Sequence, residues 1–360
     1  RECILLGTNN YLGLTFERTA LDAAHEAIEK GGTGTTGSRV ANGSYAGHQD
    51  LERDIADFFG QPYAMVFTTG YQANLGIISA LAGRDDTVLI DADSHASIYD
   101  ACKLGDASIM RFKHNDAGDL EKRLARLPHG SNKLVILEGI YSMLGDCAPL
   151  AELVAAARRN NAYILLDEAH SFGVLGAKGR GLAEQDGLEN EIDFILGTFS
   201  KSLGTVGGFC VSPHRQLEYL RYAARSYMFT ASPPPAVVAA AAANLRFIAE
   251  NPQLRTVLWA NTDILYDGLH KMGYELGPEK TPVIGVQMPD NETGIAVWQT
   301  LFAHGVYVNL ALPPATPRGK CLLRCSVCAA HTQDQLIETL KAFEAALPAF
   351  RQGLDSLQAA

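Results

Sequence analysis

The sequence predicts an α/β domain built on a mostly parallel sheet, followed by a smaller α+β domain. Three observations predict it. Short apolar runs recur between residues 64 and 212, each ending in small, hydroxylated or charged residues, and such runs read as buried strands. Helical segments such as 150–160 alternate with them, the mark of parallel strands joined by crossover helices. The stretch Phe229-Thr-Ala-Ser-Pro-Pro-Pro235 then breaks the pattern. Boundaries are expected at an opening segment 1–20, a large domain 21–235 and a smaller domain 236–360.

Composition narrows the function. The 360 residues allow one large core and a smaller one. Apolar residues make up 47% and charged residues 19%, the balance of a soluble globular chain. A net charge of −10 without any basic run argues against a nucleic-acid surface. No apolar run is long enough to span a bilayer. The chain opens at Arg1-Glu-Cys-Ile-Leu-Leu-Gly7 with neither methionine nor a signal-peptide pattern, so a trimmed N-terminus is expected. The seven cysteines form no framework, which fits reduced thiols and a cytoplasmic location. Cys325-Ser-Val-Cys328 lies in an apolar run, 321–328, that reads as a strand, so the two side chains point to opposite faces and no metal site is expected.

Taken in order, residues 5–14 are turn-rich, with Asn9, Asn10 and glycines around Tyr11. Residues 21–30 have helical spacing and end at Gly31-Gly32. Gly34-Thr-Thr-Gly-Ser-Arg39 offers free amides to a ligand, or is a linker. No strand precedes it, so it is no dinucleotide fingerprint. Residues 48–59 form an amphipathic helix and 64–69 a short strand. Residues 69–81 turn into a helix whose start, with Thr69, Gly70 and Tyr71, suits a phosphate. The other reading is a threonine N-cap with a core tyrosine. Strand 87–95 ends at Asp93-Ser-His95, where the histidine stacks on an aromatic ligand or is structural. Strand 133–142 leads into a loop serine, Ser142.

Two strand ends carry the chemistry. The run 161–170 places Asp167 and His170 past buried residues. An aspartate there can hold a protonated pyridine nitrogen, or it caps the next turn. The run from Asp193 leads to Lys201, set among Thr198, Ser200 and Ser202 and followed by glycines. Such a lysine can form a Schiff base with pyridoxal 5′-phosphate, whose phosphate needs hydroxyls and amides; otherwise it is an exposed loop lysine. A strand at 207–212 follows. Beyond the prolines, one helical stretch is expected from 236 to 272. Strands are expected near 283–288, 306–310 and 321–328, with a terminal helix at 332–346. Such a lobe can close over a cleft. Arg324, the one charge in an apolar run, holds either a substrate carboxylate or a protein acid.

Together these segments resemble the α-oxoamine synthase family of pyridoxal-phosphate enzymes over nearly the whole chain. The resemblance rests on Asn9-Asn10-Tyr11-Leu12-Gly13, Gly34-Thr-Thr-Gly-Ser-Arg39, Asp93-Ser-His95, Asp167-Glu-Ala-His170, Thr198-Phe-Ser-Lys201 and Arg324-Cys-Ser-Val-Cys-Ala-Ala-His331, in that order. It implies an aspartate-aminotransferase-type (fold type I) architecture and a homodimer with shared active sites. It implies that Lys201 binds pyridoxal 5′-phosphate covalently, Asp167 pairs with the pyridine nitrogen, His170 with the ring hydroxyl, and His95 stacks on the ring. Gly70, Tyr71, Thr198 and Ser200 would surround the phosphate, with Thr230 reaching in from the partner subunit. Ser142 would lie near the ring, Arg324 would take the amino-acid carboxylate, and Asn10 would line the substrate site.

Within the family, four strings are similar to the bacterial members that condense L-serine with palmitoyl-CoA to 3-ketodihydrosphingosine, carbon dioxide and CoA. They are Gly34-Thr-Thr-Gly37, Tyr141-Ser-Met-Leu-Gly-Asp146, Gly204-Thr-Val-Gly-Gly208 and Pro313-Pro-Ala-Thr-Pro317. Some such members carry an arginine before the last string; in this chain Leu312 occupies that position, which leaves more of the carboxylate to Arg324. Other members join alanine or glycine to shorter acyl-CoA thioesters by shared chemistry. A non-catalytic subunit is a further reading, opposed by the presence of Lys201, Asp167, His95 and His170 together. A fatty acyl substrate implies peripheral contact with the inner membrane face, but no amphipathic basic helix accompanies it.

Overall fold

The computed structural model describes residues 2–314, 316 and 319–359. Residues 315 and 317 of the Pro313–Pro317 string therefore lie outside the described residues. The chain divides into two compact units.

The larger unit comprises Leu14–Ile140 and Cys147–Pro252. Its centre is a seven-stranded sheet, in the order Tyr63–Phe67, Gly208–Ser212, Phe194–Thr198, Tyr163–Asp167, Lys133–Glu138, Thr87–Asp91 and Ser108–Phe112. All pairings are parallel except the two made by Gly208–Ser212, which runs antiparallel to both neighbours. The strands are apolar throughout because both faces are covered. Val88, Ile90, Leu134, Ile136 and Leu196 pack with the helices Gly70–Leu81 and Ala96–Leu104 in one cluster. The alternate residues Leu89, Val135, Leu137, Ile164 and Leu166 are also fully buried, as the period of two requires.

This mostly parallel, helix-covered sheet is the expected α/β class. The edge strand Ser108–Phe112 and the helices Ala96–Leu104 and Ala117–Leu124 are not evident in the sequence. The strand is largely exposed and lacks an apolar run, so its composition carries little strand signal.

The boundary expected at 235 falls instead after Pro252. The proline cluster opens a helix, Pro235–Glu250, with Pro235 in its first turn, where a missing N–H costs nothing. That helix packs on the helices Arg18–Gly31 and Ala46–Phe59, and so belongs to the larger unit. The single helix expected from 236 to 272 is two, Pro235–Glu250 and Gln253–Met272. Pro252 removes an N–H and disfavours helical geometry at Asn251, whose φ and ψ are −123° and 64°.

The smaller unit comprises Arg1–Gly13, Tyr141–Asp146 and Gln253–Ala360. Its larger sheet is four-stranded and antiparallel, in the order Asn309–Ala311, Leu322–Ser326, Val283–Gln287 and Glu275–Leu276, and a short parallel pair joins Ile4–Leu5 to Val306–Tyr307. The helix Asn291–Ala303, capped by the Asp290 side chain, was not expected from the sequence. It packs on the terminal helix Gln333–Ala359, which extends well past residue 346. The strand expected over 321–328 stops at Ser326, so Cys328 lies beyond it. The turn Tyr141–Asp146 joins this unit because Gly145, at φ +77°, fits tightly against Val283, where an added Cβ would sit 1.9 Å from a carbonyl oxygen. Thr281 Oγ1 donates to the Gly145 carbonyl at 2.7 Å.

No helix among the described residues is long and apolar enough to cross a membrane.

Candidate active site

The larger unit holds a cavity of about 280 Å³ at the carboxyl ends of its parallel strands, the usual ligand edge of such sheets. Glu138, Asp167 and Thr198 are the last residues of adjacent or near-adjacent strands and all line it. Gly70, Tyr71, Asn74, His95, His170, Ser200 and Lys201 complete the part of the lining that bears on the chemistry.

Lys201 sits in the connection between Phe194–Thr198 and its antiparallel neighbour Gly208–Ser212. Backbone bonds close this turn: Phe199 N donates to Gly207 O, Thr205 N to Phe199 O and Gly204 N to Lys201 O, each at 3.0 Å. Gly204 at φ +61° and Gly207 at φ +148° supply conformations that other residues rarely adopt. An added Cβ on Gly207 would also strike the Phe199 ring at 2.2 Å. The lysine is thus presented by a turn whose shape does not depend on its side chain.

Asp167 is buried, and both of its oxygens are held. Oδ1 accepts from Ala169 N at 2.9 Å and Oδ2 from Asn74 Nδ2 at 2.8 Å. Asn74 was missed in the sequence. It stands one helical turn after Gly70, on the same helix face, but nothing in its sequence neighbours points to Asp167.

His95 caps the helix Ala96–Leu104, its Nδ1 accepting from Ser97 N at 3.3 Å. Its ring is exposed to the cavity but walled by protein, which lowers the imidazole pKa; Lys201 lowers it further and Asp167 opposes the change.

At the start of Gly70–Leu81, Thr69 Oγ1 accepts from Gln72 N at 3.1 Å, so the threonine N-cap and the cavity lining are both real. Thr198 Oγ1 and Ser200 Oγ are 2.8 Å apart. A Cβ on Gly70 would lie 2.8 Å from Thr198, and one on Gly208 would lie 2.6 Å from Gly70 backbone. Bare backbone is therefore required where the hydroxyls and the helix start converge. Tyr71 donates its hydroxyl to Asp100. Thr230 does not line the cavity; its hydroxyl accepts from Gln72 Nε2 at 3.3 Å. The Gly34–Arg39 loop is not in the lining either. It packs on the proline segment, with Ser232 N bonded to Gly37 O.

The remaining candidates, Asn10, Ser142 and Arg324, belong to the smaller unit. Arg324 is buried on the strand Leu322–Ser326. Its Nε donates to the Ser142 carbonyl, and its Nη1 to Asn9 Oδ1 at 2.9 Å and Ser326 Oγ at 3.1 Å. Nη2 is buried and meets no acceptor in bonding geometry among the described residues. The Tyr11 hydroxyl lies beside the guanidinium; burial pushes its pKa up to about 12 and Arg324 opposes the rise. No carboxylate pairs with Arg324 among the described salt bridges. The asparagine bonded to Arg324 is Asn9, a residue the sequence reading did not single out as a site residue.

The sequence pattern of class I and II aminotransferases matches residues 1–343. The chain belongs to the class I and II aminotransferase family. Within that family it is 56% identical to the serine palmitoyltransferase of Caulobacter vibrioides over 344 residues, covering 95% of this chain and 85% of that one. A solved serine palmitoyltransferase from S. paucimobilis with a bound PLP–myriocin aldimine superimposes with a TM-score of 0.95 at 52% identity, covering 97% of this chain and 88% of that one. The 8-amino-7-oxononanoate synthase of Geobacter sulfurreducens is more distant, at 40% identity over 93% of this chain and 86% of its own. The architecture is the aspartate-aminotransferase-type fold expected from the resemblance.

The residues present in this aminotransferase-family cavity fit pyridoxal phosphate. A bare helix start beside two hydroxyls suits a phosphate, a buried carboxylate with both oxygens ordered suits a ring nitrogen, and a lysine lines the same space.

Proposed function

We propose that this chain is a serine palmitoyltransferase, condensing L-serine with palmitoyl-CoA to give 3-ketodihydrosphingosine, carbon dioxide and CoA. The observation that carries the chemistry is the convergence of Lys201, the ordered Asp167 carboxylate and the hydroxyl-lined helix start on one cavity. The choice of serine and a long acyl chain rests on the 56% identity to the Caulobacter vibrioides serine palmitoyltransferase, against 40% to the Geobacter sulfurreducens 8-amino-7-oxononanoate synthase.

Pyridoxal phosphate, when bound, supplies an electron-withdrawing ring that eases bond breaking at the amino-acid Cα. The chain's residues do the rest. The helix start at Gly70 and Tyr71, with Thr198 and Ser200, holds the phosphate. Asp167 would keep a proton on the ring nitrogen, and His170 would meet the ring hydroxyl. The His95 ring would pack on the cofactor face. Lys201 Nζ would anchor the cofactor and would be the base that accepts the Cα proton. By the family resemblance, Arg324 would take the serine carboxylate, with Ser142 and Asn10 on the substrate side. Holding the carboxylate fixes which Cα bond is broken.

We assign the active form to a homodimer, with Thr230 acting on the partner's phosphate site, and the enzyme to the cytoplasm. Seven scattered cysteines without a disulfide-like spacing support the location.

The test is release of CoA thiol by the pyridoxal-phosphate-loaded protein. Serine, alanine and glycine are each offered with palmitoyl-, pimeloyl-, acetyl- and succinyl-CoA. Release confined to serine with palmitoyl-CoA is expected. Release with alanine or glycine and a short chain would move the chain to another α-oxoamine synthase activity; no release with cofactor bound would favour a non-catalytic subunit.

Arg324→Leu is expected to raise the KM for L-serine by about tenfold to a hundredfold, the value of a hydrogen bond between charged groups. The KM for palmitoyl-CoA should stay near that of the parent. Equal loss for both substrates would make Arg324 a structural residue of its strand.

A further inference from the structure

We propose that Glu138 is the positioning residue that sets the His95 ring beside Asp167, and that it does so as an uncharged acid. The proposal rests on the pyridoxal-phosphate reading of the cavity and adds a residue the sequence did not single out.

Glu138 is the last residue of its strand, is 4% exposed, and lines the cavity. It lies opposite Asp167 in the parallel register, so both side chains leave the sheet on the same face. Its Oε1 accepts from the backbone N–H of His95. That bond ties the segment carrying the His95 ring to the strand next to Asp167. The ring is fixed from its other side by Ser97, which lies 2.7 Å from Nδ1 and whose backbone N–H also reaches it. One carboxyl group thus connects the two groups that flank the site of the cofactor ring.

Two carboxyl groups on one buried face do not both ionise readily. Asp167 is the better stabilised, with two ordered N–H donors, against one for Glu138. Glu138, with the single donor, is therefore the carboxyl left uncharged. Burial raises the Glu138 pKa well above the usual carboxylate range, and Asp167 and, more weakly, Asp91 add to the rise. The His95 N–H and Lys201 oppose it without reversing it. The pair then carries a single negative charge, matching one protonated pyridine nitrogen. A second charge would attract a second proton into the site and blur the pairing.

The test compares Glu138→Leu and Glu138→Gln with the parent protein. Each is stripped of cofactor and titrated with pyridoxal 5′-phosphate between pH 6 and 7.5, following the visible absorbance band and protein fluorescence. Leucine leaves the His95 N–H without an acceptor, and about a tenfold weaker Kd is expected. Glutamine keeps the acceptor and the neutral charge, so it should recover most of that loss. The ratio of its Kd to that of the parent should be constant across the range, with the band unshifted. A glutamine variant as weak as leucine, or a ratio that changes tenfold with pH, would show that a charged Glu138 is needed. A leucine variant equal to the parent would end the positioning role. If leucine fails to fold, the pH-independence of the glutamine ratio decides. Failure of the parent to bind the cofactor would instead overturn the cofactor reading, and this proposal with it.

Discussion

Replacing Lys201 with alanine is expected to lower CoA release by about 10⁴-fold or more, since anchoring and proton transfer are lost together. Pyridoxal phosphate should still enter the site, but reduction with borohydride should no longer fix it to the protein. The expectation depends on how the lysine is held. The turn from Phe199 to Gly207 is closed by main-chain bonds and by two glycines at positive φ. Ser202 Oγ anchors it further by donating to Phe172 O at 2.6 Å. None of these uses the Lys201 side chain, so the variant should unfold at nearly the same temperature as the parent. Activity can then be lost without the fold. Turnover close to the parent's, with cofactor still fixed by reduction, would place the chemistry on another amine.

The sequence exposed the candidate site residues because each lies at or just past the end of a buried apolar run, where a charged side chain is conspicuous. Lys201, Asp167 and His170 were legible for that reason, and the structure gathers them around one cavity. Glu138 ends the same kind of run and carried the same signal, but it lies before the loop serine that drew attention. Asn74 was hidden because an asparagine inside a helix has no distinctive neighbours in sequence; only the fold brings it to Asp167. The large sheet was legible from its apolar runs, whereas its exposed edge strand was not. The prolines at 233–235 suggested a boundary, although the same residues open a helix that packs on the larger unit. Proline punctuates local structure, but domain membership follows from packing, which a local signal does not contain.

Asp167→Asn is expected to slow exchange of the L-serine Cα proton by about 10²- to 10⁴-fold, while the cofactor remains bound. Exchange in deuterated water without acyl-CoA isolates the proton step, and NMR reads it directly. The amide matches the carboxylate in size but carries no charge to keep a proton on the ring nitrogen. It also has one oxygen in place of two, so either Ala169 N or Asn74 Nδ2 loses its acceptor. The second effect should weaken cofactor binding modestly; the first should dominate the rate. Glu138 is placed to mask the result. Losing the Asp167 charge removes one cause of the high Glu138 pKa, but burial, the larger cause, remains. Glu138 should therefore stay neutral and leave the defect uncorrected. An Asp167→Asn variant that keeps its exchange rate, while the Asp167→Asn/Glu138→Gln double variant loses it, would mean that Glu138 supplies the charge. A rate unchanged in both would mean that no carboxylate is needed at the ring nitrogen, and Asp167 would then have no part in the proton step.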